Sequence, residues 1–377
     1  MNKTVDKLRR IEQEMNNYFL ERAEEIHIGI NAIISRKHVY FLGVAGTAKS
    51  MICRAMAQHV GRMKYFEFLL TKFTVVEEIF GSVKFSELEN DKYERNIENK
   101  LADVHISFLD EIFKANSSIL NALLKVMNER KFDNGGITID VPLLSLFTAS
   151  NELPDADEGL QAMYDRLHFR KLVRPISDFD NERKLLQLNE DYQPITILTL
   201  DELQELHQLV DAVDASSVID DMVKIYRTLQ QDNIFISDRK KKECVRIIQA
   251  EAVLNGRNEA QTDDLSILQH VLWNEPTEIQ TVQNTVLHIS NPFEERAKTF
   301  MTMLDELEKK VDKFTKMDAD AWEIYNKGTE MQKDLKKYIK TAKSQNKPYR
   351  TLQEAHDRVQ AMLQRIQTEF LKIGKED

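Results

Sequence analysis

Four short apolar runs constrain this chain more than any other feature. They are residues 38–42 (HVYFL), 65–70 (YFEFLL), 104–109 (VHISFL) and 143–149 (LLSLFTA), with a weaker fifth at 168–173 (HFRKLV). Each is too short for a helix, and between most of them lie segments of helical period. Strands apolar on both faces must be covered on both faces, so strands alternating with helices predict a parallel sheet between two helical layers.

Outside these runs the period is helical. Residues 5–36 carry Leu8, Ile11, Met15, Phe19, Ile26, Ile30, Ile33 and Ile34 at helical spacing. After Pro175 strand signals largely stop. Residues 176–200 read as a linker with one short helix. From Leu200 to Trp273 helices dominate, broken near 214–217, 232–237 and 255–261, and the last opens at Thr262-Asp263-Asp264. Residues 277–292 look less regular and close with Asn291-Pro292. Beyond them Phe300, Leu304, Leu307, Val311 and Phe314 form a heptad seam, as do Leu352, Ala355, Val359, Met362, Ile366 and Phe370, with a break at 345–348 between. An antiparallel helical hairpin fits this pattern, and it serves either as a docking arm or as a coiled coil that merely packs. The expected organisation is an α/β core over 1–175, a linker and all-helical lid over 176–276, and a coiled-coil hairpin over 277–377.

Composition excludes several classes. A formal net charge of −10 argues against a surface that clings to nucleic acid, although it leaves a locally basic pore open. No stretch approaches the roughly 18 apolar residues that a membrane span needs. The polar start MNKTVDKLRRIEQEM lacks the apolar core of a secretory signal. Cys53 and Cys244 make neither a metal-ligand spacing nor a disulfide framework, which leads to the expectation of a cytoplasmic protein.

The first run leads straight into Gly43-Val44-Ala45-Gly46-Thr47-Ala48-Lys49-Ser50, and then into a helix whose apolar face is Ile52, Ala55, Met56 and Val60. Strand, glycine loop and helix in that order make a phosphate-binding loop. The N–H groups from Gly43 to Met51 can cradle the phosphates of ATP. Lys49 would reach the β- and γ-phosphates and Ser50 would hold Mg²⁺. The usual glycine before the lysine is Ala48, which is tolerable if the backbone there is helical. The third run ends in Asp110-Glu111. Asp110 would bind Mg²⁺ through water and Glu111 would polarise the attacking water; an Asp-Glu pair opening a helix is the bland alternative. Asn151 follows the fourth run, where a side-chain amide can position that water or contact the γ-phosphate.

Together these segments resemble the AAA+ superfamily. FLGVAGTAKS, YFEFLLTKFTVVEEIFG, FLDEIFKANSSILNALLKVMNER, TASNELPDADEGLQAMYDRL and ISDRKKKECVRIIQA are similar to the MoxR family, nearest to its regulatory ATPase variant A branch. The resemblance covers residues 18–276. It implies that Arg166 is the arginine finger placed in a neighbour's site, with Arg170 and Arg174 as substitutes, and that Arg239 is the second sensor at the start of a lid helix. It implies ATP bound where core meets lid, a homo-oligomeric ring of six, and chaperone-like remodelling of a protein client. It also implies a partner carrying a von Willebrand factor A domain. Residues 131–143 (KFDNGGITIDVPL) read as a β-hairpin turning at Asn134-Gly135-Gly136, where the family has a pore-facing hairpin. Residues 82–103 fall where the family inserts another. A nucleic-acid motor and a nucleotide-gated scaffold with little turnover remain as alternatives.

Overall fold

The computed structural model describes residues 2–89, 92–154, 158–188, 191–312, 319–344 and 349–368. Two compact units divide the chain, Met1–Ile279 and Gln280–Asp377. Among the described residues no helix is long and apolar enough to cross a membrane.

The first unit opens with α1 (Lys3–Tyr18) and α2 (Ala23–Ser35), where the sequence pattern suggests one continuous helical segment. The break has a local cause. Glu21 takes a left-handed backbone (φ 56°), and the side chains of Glu21 and Arg22 leave the helical line for distant partners. Next come β1 (Val39–Leu42), α3 (Lys49–Gln58), β2 (Tyr65–Leu69), α4 (Val76–Phe80), α5 (Phe85–Leu88) and β3 (Ile106–Asp110). They are followed by α6 (Ser117–Glu129), β4 (Lys131–Asn134), β5 (Ile137–Asp140), β6 (Ser145–Ser150), α7 (Glu158–Arg166) and β7 (Phe169–Leu172). All five apolar runs are strands of one parallel sheet, ordered β2-β3-β6-β1-β7. Every residue of β1 and β6 is buried, as a sheet covered on both faces requires.

β6 lies between β1 and β3, although it comes last of the three in the chain. Its register pairs Leu42 with Ser150 and Leu109 with Thr148. Asp110, Ala149 and Phe41 are therefore level across three neighbouring strands, and β1 and β3 stand about 10 Å apart. The loops that follow all open on one sheet edge, where parallel sheets bind ligands.

Two insertions stand beside this core. β4 and β5 form the expected hairpin, with Gly135 (φ 63°) and Gly136 (φ 87°) supplying the two left-handed turn residues. The segment around 82–96 is less than a regular hairpin. A single Val83–Arg95 bridge, with Lys84 and Asn96 N–H groups donating across it at 2.8 Å, encloses α5. The Asn134 side chain accepts from the Arg95 N–H (2.6 Å) and donates to its carbonyl (3.2 Å), so the two insertions are bonded to each other.

The helical region follows the predicted breaks with α8 (Phe179–Leu185), α9 (Leu200–Ala212), α10 (Ile219–Gln231) and α11 (Asp238–Leu254). Residues Thr262–His270 form a 3₁₀-helix, not an α-helix, and its cap is Gln261, whose N–H is held by Asp264 at 2.8 Å.

The second unit departs from the sequence reading twice. Ile279–Ser290 is a regular helix, α12, burying Val282, Val286 and Leu287. Asn291-Pro292 opens the next helix instead of closing a loop: Asn291 Oδ1 accepts from the Glu294 N–H, and Pro292 occupies the first helical position, where its missing donor costs nothing. In place of a two-helix hairpin the described residues form three helices, α13 (Pro292–Val311), α14 (Ala319–Ser344) and α15 (Arg350–Ile366). Leu304, Leu307 and Val311 pack with Leu335, Ile339, Leu352, Val359 and Ile366. The missed element is α14. Phe314, Phe370 and the break at 345–348 lie outside the described residues.

Candidate nucleotide site

The phosphate loop continues the sheet before it leaves it. The Gly43 N–H donates to the Ser150 carbonyl (3.0 Å), and a Cβ on Gly43 would stand 2.3 Å from the Val173 carbonyl, so only glycine fits. Val44, Ala45 and Gly46 form an exposed crown, and Lys49 opens α3. Ala48 is not helical, contrary to the condition that made it tolerable in the sequence. It caps α3 in the left-handed region (φ 63°, ψ 18°), which costs a non-glycine residue about 1–2 kcal/mol. The conformation, rather than the space, is what makes glycine the usual residue here.

Lys49 is buried. Its Nζ donates to the carbonyls of Gly43 (3.0 Å) and Val44 (2.7 Å) and to Thr47 Oγ1 (3.3 Å), all within the loop itself. Burial lowers its pKa, and the carboxylates of Asp110 and Glu111 facing it oppose that shift. Loop lysine and acidic strand end thus share one electrostatic site, although β6 stands between their strands. Ser50 and Met51 follow in the first turn of α3, Ser50 half-buried and Met51 exposed.

Asp110 ends β3, and its Oδ1 accepts the Glu111 N–H at 3.0 Å. Glu111 is left-handed (φ 54°), a strained backbone of the kind that concentrates at functional sites. Its carboxylate rests 3.1 Å from Lys114 Nζ. Asn151 leaves β6 on the same edge, exposed to solvent. The turn after it is tied down twice, by Tyr40 Oη donating to the Glu152 carbonyl (2.7 Å) and by Ser150 Oγ accepting the Glu152 N–H (3.2 Å).

The arginines separate by environment. Arg166 ends α7, its Nε donating to Asn128 Oδ1 (2.8 Å) and its Nη1 to the Ala162 carbonyl (2.6 Å). Burial lowers its pKa, as does the nearby Arg239, against the pull of Asp165. Arg239, at the start of α11, is more than half exposed and stands 4.0 Å from Asp165. Arg239 thus lies near Asp165 and acts on Arg166, whereas the charged groups that act on Lys49 are Asp110, Glu111 and Arg22. Arg170 is fully buried. Its guanidinium donates to the carbonyls of Tyr164, Leu167 and Trp273 and to Asn274 Oδ1, and lies 3.8 Å over the Tyr164 ring. It fastens β7 to the end of the helical region, with four of its five N–H groups bonded within the unit. Arg174 is exposed.

Two contacts carried no sequence signal. Tyr40 reads as another apolar strand residue. Arg22 reads as part of a charged helix face, yet its Nε donates to the Thr47 carbonyl inside the phosphate loop.

A parallel sheet with a phosphate loop, an acidic strand end and a polar residue on three adjacent strands, followed by a helical lid, defines an AAA+ ATPase. Residues 6–208 match the family described as the MoxR domain in the MoxR-vWA-beta-propeller ternary systems, and residues 217–286 match an AAA lid domain. The chain belongs to the MoxR family. It is 42% identical to the uncharacterized protein MJ0812 of Methanocaldococcus jannaschii, over 92% of this chain and 95% of that one. It is 28% identical to the chaperone MoxR1 of Mycobacterium tuberculosis, over 42% of this chain and 38% of that one. A crystal structure of a candidate ATPase from Cytophaga hutchinsonii shares the fold, with a TM-score of 0.61 at 16% identity, over 76% of this chain and 95% of that one.

Proposed function

We propose that this chain hydrolyses ATP in a homo-oligomeric ring, six-membered by family resemblance, and uses the cycle to remodel a protein client. The observation that carries this reading is the separation of charges within one unit: Lys49 faces Asp110 and Glu111, whereas Arg166 and Arg239 stand together around Asp165. A site assembled from Lys49, Asp110, Glu111 and Asn151 of one subunit and the two arginines of the next accounts for both clusters. The resemblance implies Arg239 as a sensor; its place beside Arg166 supports a role in the neighbour's site.

In this reading Lys49 gives up its loop carbonyls for the β- and γ-phosphates, and the N–H groups from Gly43 to Met51 surround them. Ser50 and Asp110 offer the hard oxygen donors that suit Mg²⁺, Asp110 having one carboxylate oxygen engaged by Glu111 N–H and the other free of it. Mg²⁺, when bound, neutralises charge on the phosphate oxygens. Glu111 exchanges Lys114 for the attacking water and orients it, with Asn151 alongside. Arg166 and Arg239 stabilise charge in the transition state.

The hairpin at β4–β5 and the bridged segment at 82–96 are the client-facing parts, bonded through Asn134 so that they move together. The matched family is named for systems containing a von Willebrand factor A protein, and such a partner is proposed here too, with the second unit as its docking arm. Placement in the regulatory ATPase variant A branch and work in the cytoplasm belong to the same proposal. The test is ATP turnover per protomer with Mg²⁺ across a wide range of protein concentration. A rate that climbs and then levels is expected; ATP binding without turnover at any concentration would overturn the motor reading.

A further inference from the structure

The sequence puts an alanine where a phosphate loop usually has glycine, and the fold holds that alanine left-handed. Something must keep the Thr47–Ala48 peptide in an orientation that Ala48 itself resists. Among the described residues, Arg22 meets that peptide. Arg22 is 5% exposed, and its guanidinium is divided among three chain segments. Nε donates to the Thr47 carbonyl (3.1 Å), Nη1 to the Glu21 carbonyl (2.8 Å) and Nη2 to the Arg174 carbonyl (2.9 Å). In a trans peptide the C=O and N–H point in opposite directions. Anchoring the Thr47 oxygen to Arg22 therefore turns the Ala48 N–H away from Arg22, toward the side on which loop N–H groups collect around an anion.

Arg22 is itself fixed. The preceding Glu21 is left-handed, and its carboxylate accepts from the N–H groups of Ser177 (3.1 Å) and Asp178 (3.0 Å) and from Asn181 Nδ2 (3.2 Å). Burial opposes ionisation of Glu21, but these donors outweigh it and lower its pKa. Glu21 thus holds the start of the linker while Arg22 holds the phosphate loop and the end of the segment after β7.

We propose that Arg22 is a positioning residue for nucleotide binding, which locks the Thr47–Ala48 peptide in its binding orientation and so stands in for the missing glycine. The inference rests on the loop being an ATP site. Arg22 acts on the loop, so its loss weakens binding and leaves the chemical step of the bound complex largely intact.

The experiment is a double-mutant cycle on the full chain, with ATP affinity measured by calorimetry and turnover measured in parallel. Arg22→Gln is expected to weaken ATP binding by about tenfold, the scale of one charge-assisted hydrogen bond. KM should rise in step while kcat stays within about twofold, the sign of lost ground-state binding. In the Ala48→Gly background, where the left-handed backbone is unstrained, the same change should cost only about two- to threefold. Arg22→Lys, which keeps a cationic donor, should recover part of the loss. Equal losses in both backgrounds, or a fall in kcat at unchanged KM, would overturn the proposal. If Arg22→Gln does not fold, Arg22→Lys carries the same comparison in both backgrounds. Failure of the unsubstituted chain to bind ATP is a separate outcome, because it removes the nucleotide site itself and with it any role for Arg22 there.

Discussion

The two charged clusters of the first unit are built on opposite principles. Around Lys49 the groups are tethered: the lysine is buried, Arg22 is spent on three carbonyls, and Asp110 and Glu111 end a central strand. Around Asp165 they are loose. Arg239 is more than half exposed, its nearest carboxylate is 4.0 Å away, and Arg166 is held by one amide and one carbonyl. Rigid groups suit a site that must be pre-formed for a phosphate, whereas an exposed arginine with a distant partner, such as Arg239, is free to find a stronger one elsewhere. The contrast is what the proposed ring requires, in which a protomer carries two half-sites facing different neighbours.

The sharpest way to break this comparison is to inactivate each half separately and mix. Arg166→Ala should lower turnover by on the order of 10³–10⁵ if it is the trans finger. Glu111→Gln should lower it by on the order of 10²–10⁴ while ATP binding persists. Mixed together, the two variants should regain measurable activity, since some interfaces then pair an intact Glu111 with an intact Arg166. A mixture as inactive as its components would end the trans assignment.

Arg239 sharpens the same contrast with a smaller effect, a loss of about 10- to 100-fold for Arg239→Ala, as expected of one charge-stabilising group. Mixing decides its direction. If Arg239 serves the same neighbour as Arg166, then Arg239→Ala mixed with Arg166→Ala gains nothing over the residual rate of Arg239→Ala, because no subunit in the mixture presents both arginines. Recovery would mean that Arg239 acts on its own subunit's nucleotide.

Among the remaining arginines the difference is between structure and surface. Arg170→Leu takes the guanidinium from three carbonyls and an amide oxygen, and should cost about 3 kcal/mol in denaturant unfolding. Arg174→Ala, at an exposed position, should stay within about 0.5 kcal/mol of the unsubstituted chain. Equal losses would mean that the guanidinium of Arg170 is not a packing element.

This division explains what the sequence could reveal. The sheet was legible because apolar runs of strand length recur between helical segments, and burial on both faces leaves little room for other residues. Lys49 and Asp110-Glu111 were legible because their chemistry needs fixed places in strand–loop–helix order. Arg22, Arg166, Arg170 and Arg239 look alike in a sequence. Only the fold decides that one meets the Thr47 carbonyl, one meets Trp273, and two lie near Asp165. Ala48 was misjudged for a related reason, since residue size can be read from a sequence but the sign of φ cannot. In the second unit α14 escaped because its apolar residues, Ile324, Met331, Leu335 and Ile339, are diluted by lysine and glutamate.

A third charged group binds helices rather than a ligand. The His27 ring lies between two carboxylates, Nδ1 at 2.8 Å from Glu12 on α1 and Nε2 at 3.0 Å from Glu251 on α11, where Asn31 also donates to Glu251 (2.9 Å). Burial works against a charged imidazole, but Glu251 and Glu12 outweigh it and hold the His27 pKa well above its ordinary value. A raised folded-state pKa contributes stability that is fully present below the unfolded value of about 6.5 and is lost as pH rises through the folded value. Glu251 acts at the acidic end: burial raises its pKa, His27 and Asn31 more than reverse that, and its contribution fades as pH falls through the lowered value. Chemical denaturation of the full chain should therefore show stability falling from pH 6.5 upward. His27→Gln should flatten that slope, at a cost of about 1 kcal/mol near pH 6. An unchanged slope in the variant would show that the three helices are joined by packing alone, and that this cluster, unlike the two around Lys49 and Asp165, contributes little through its charge.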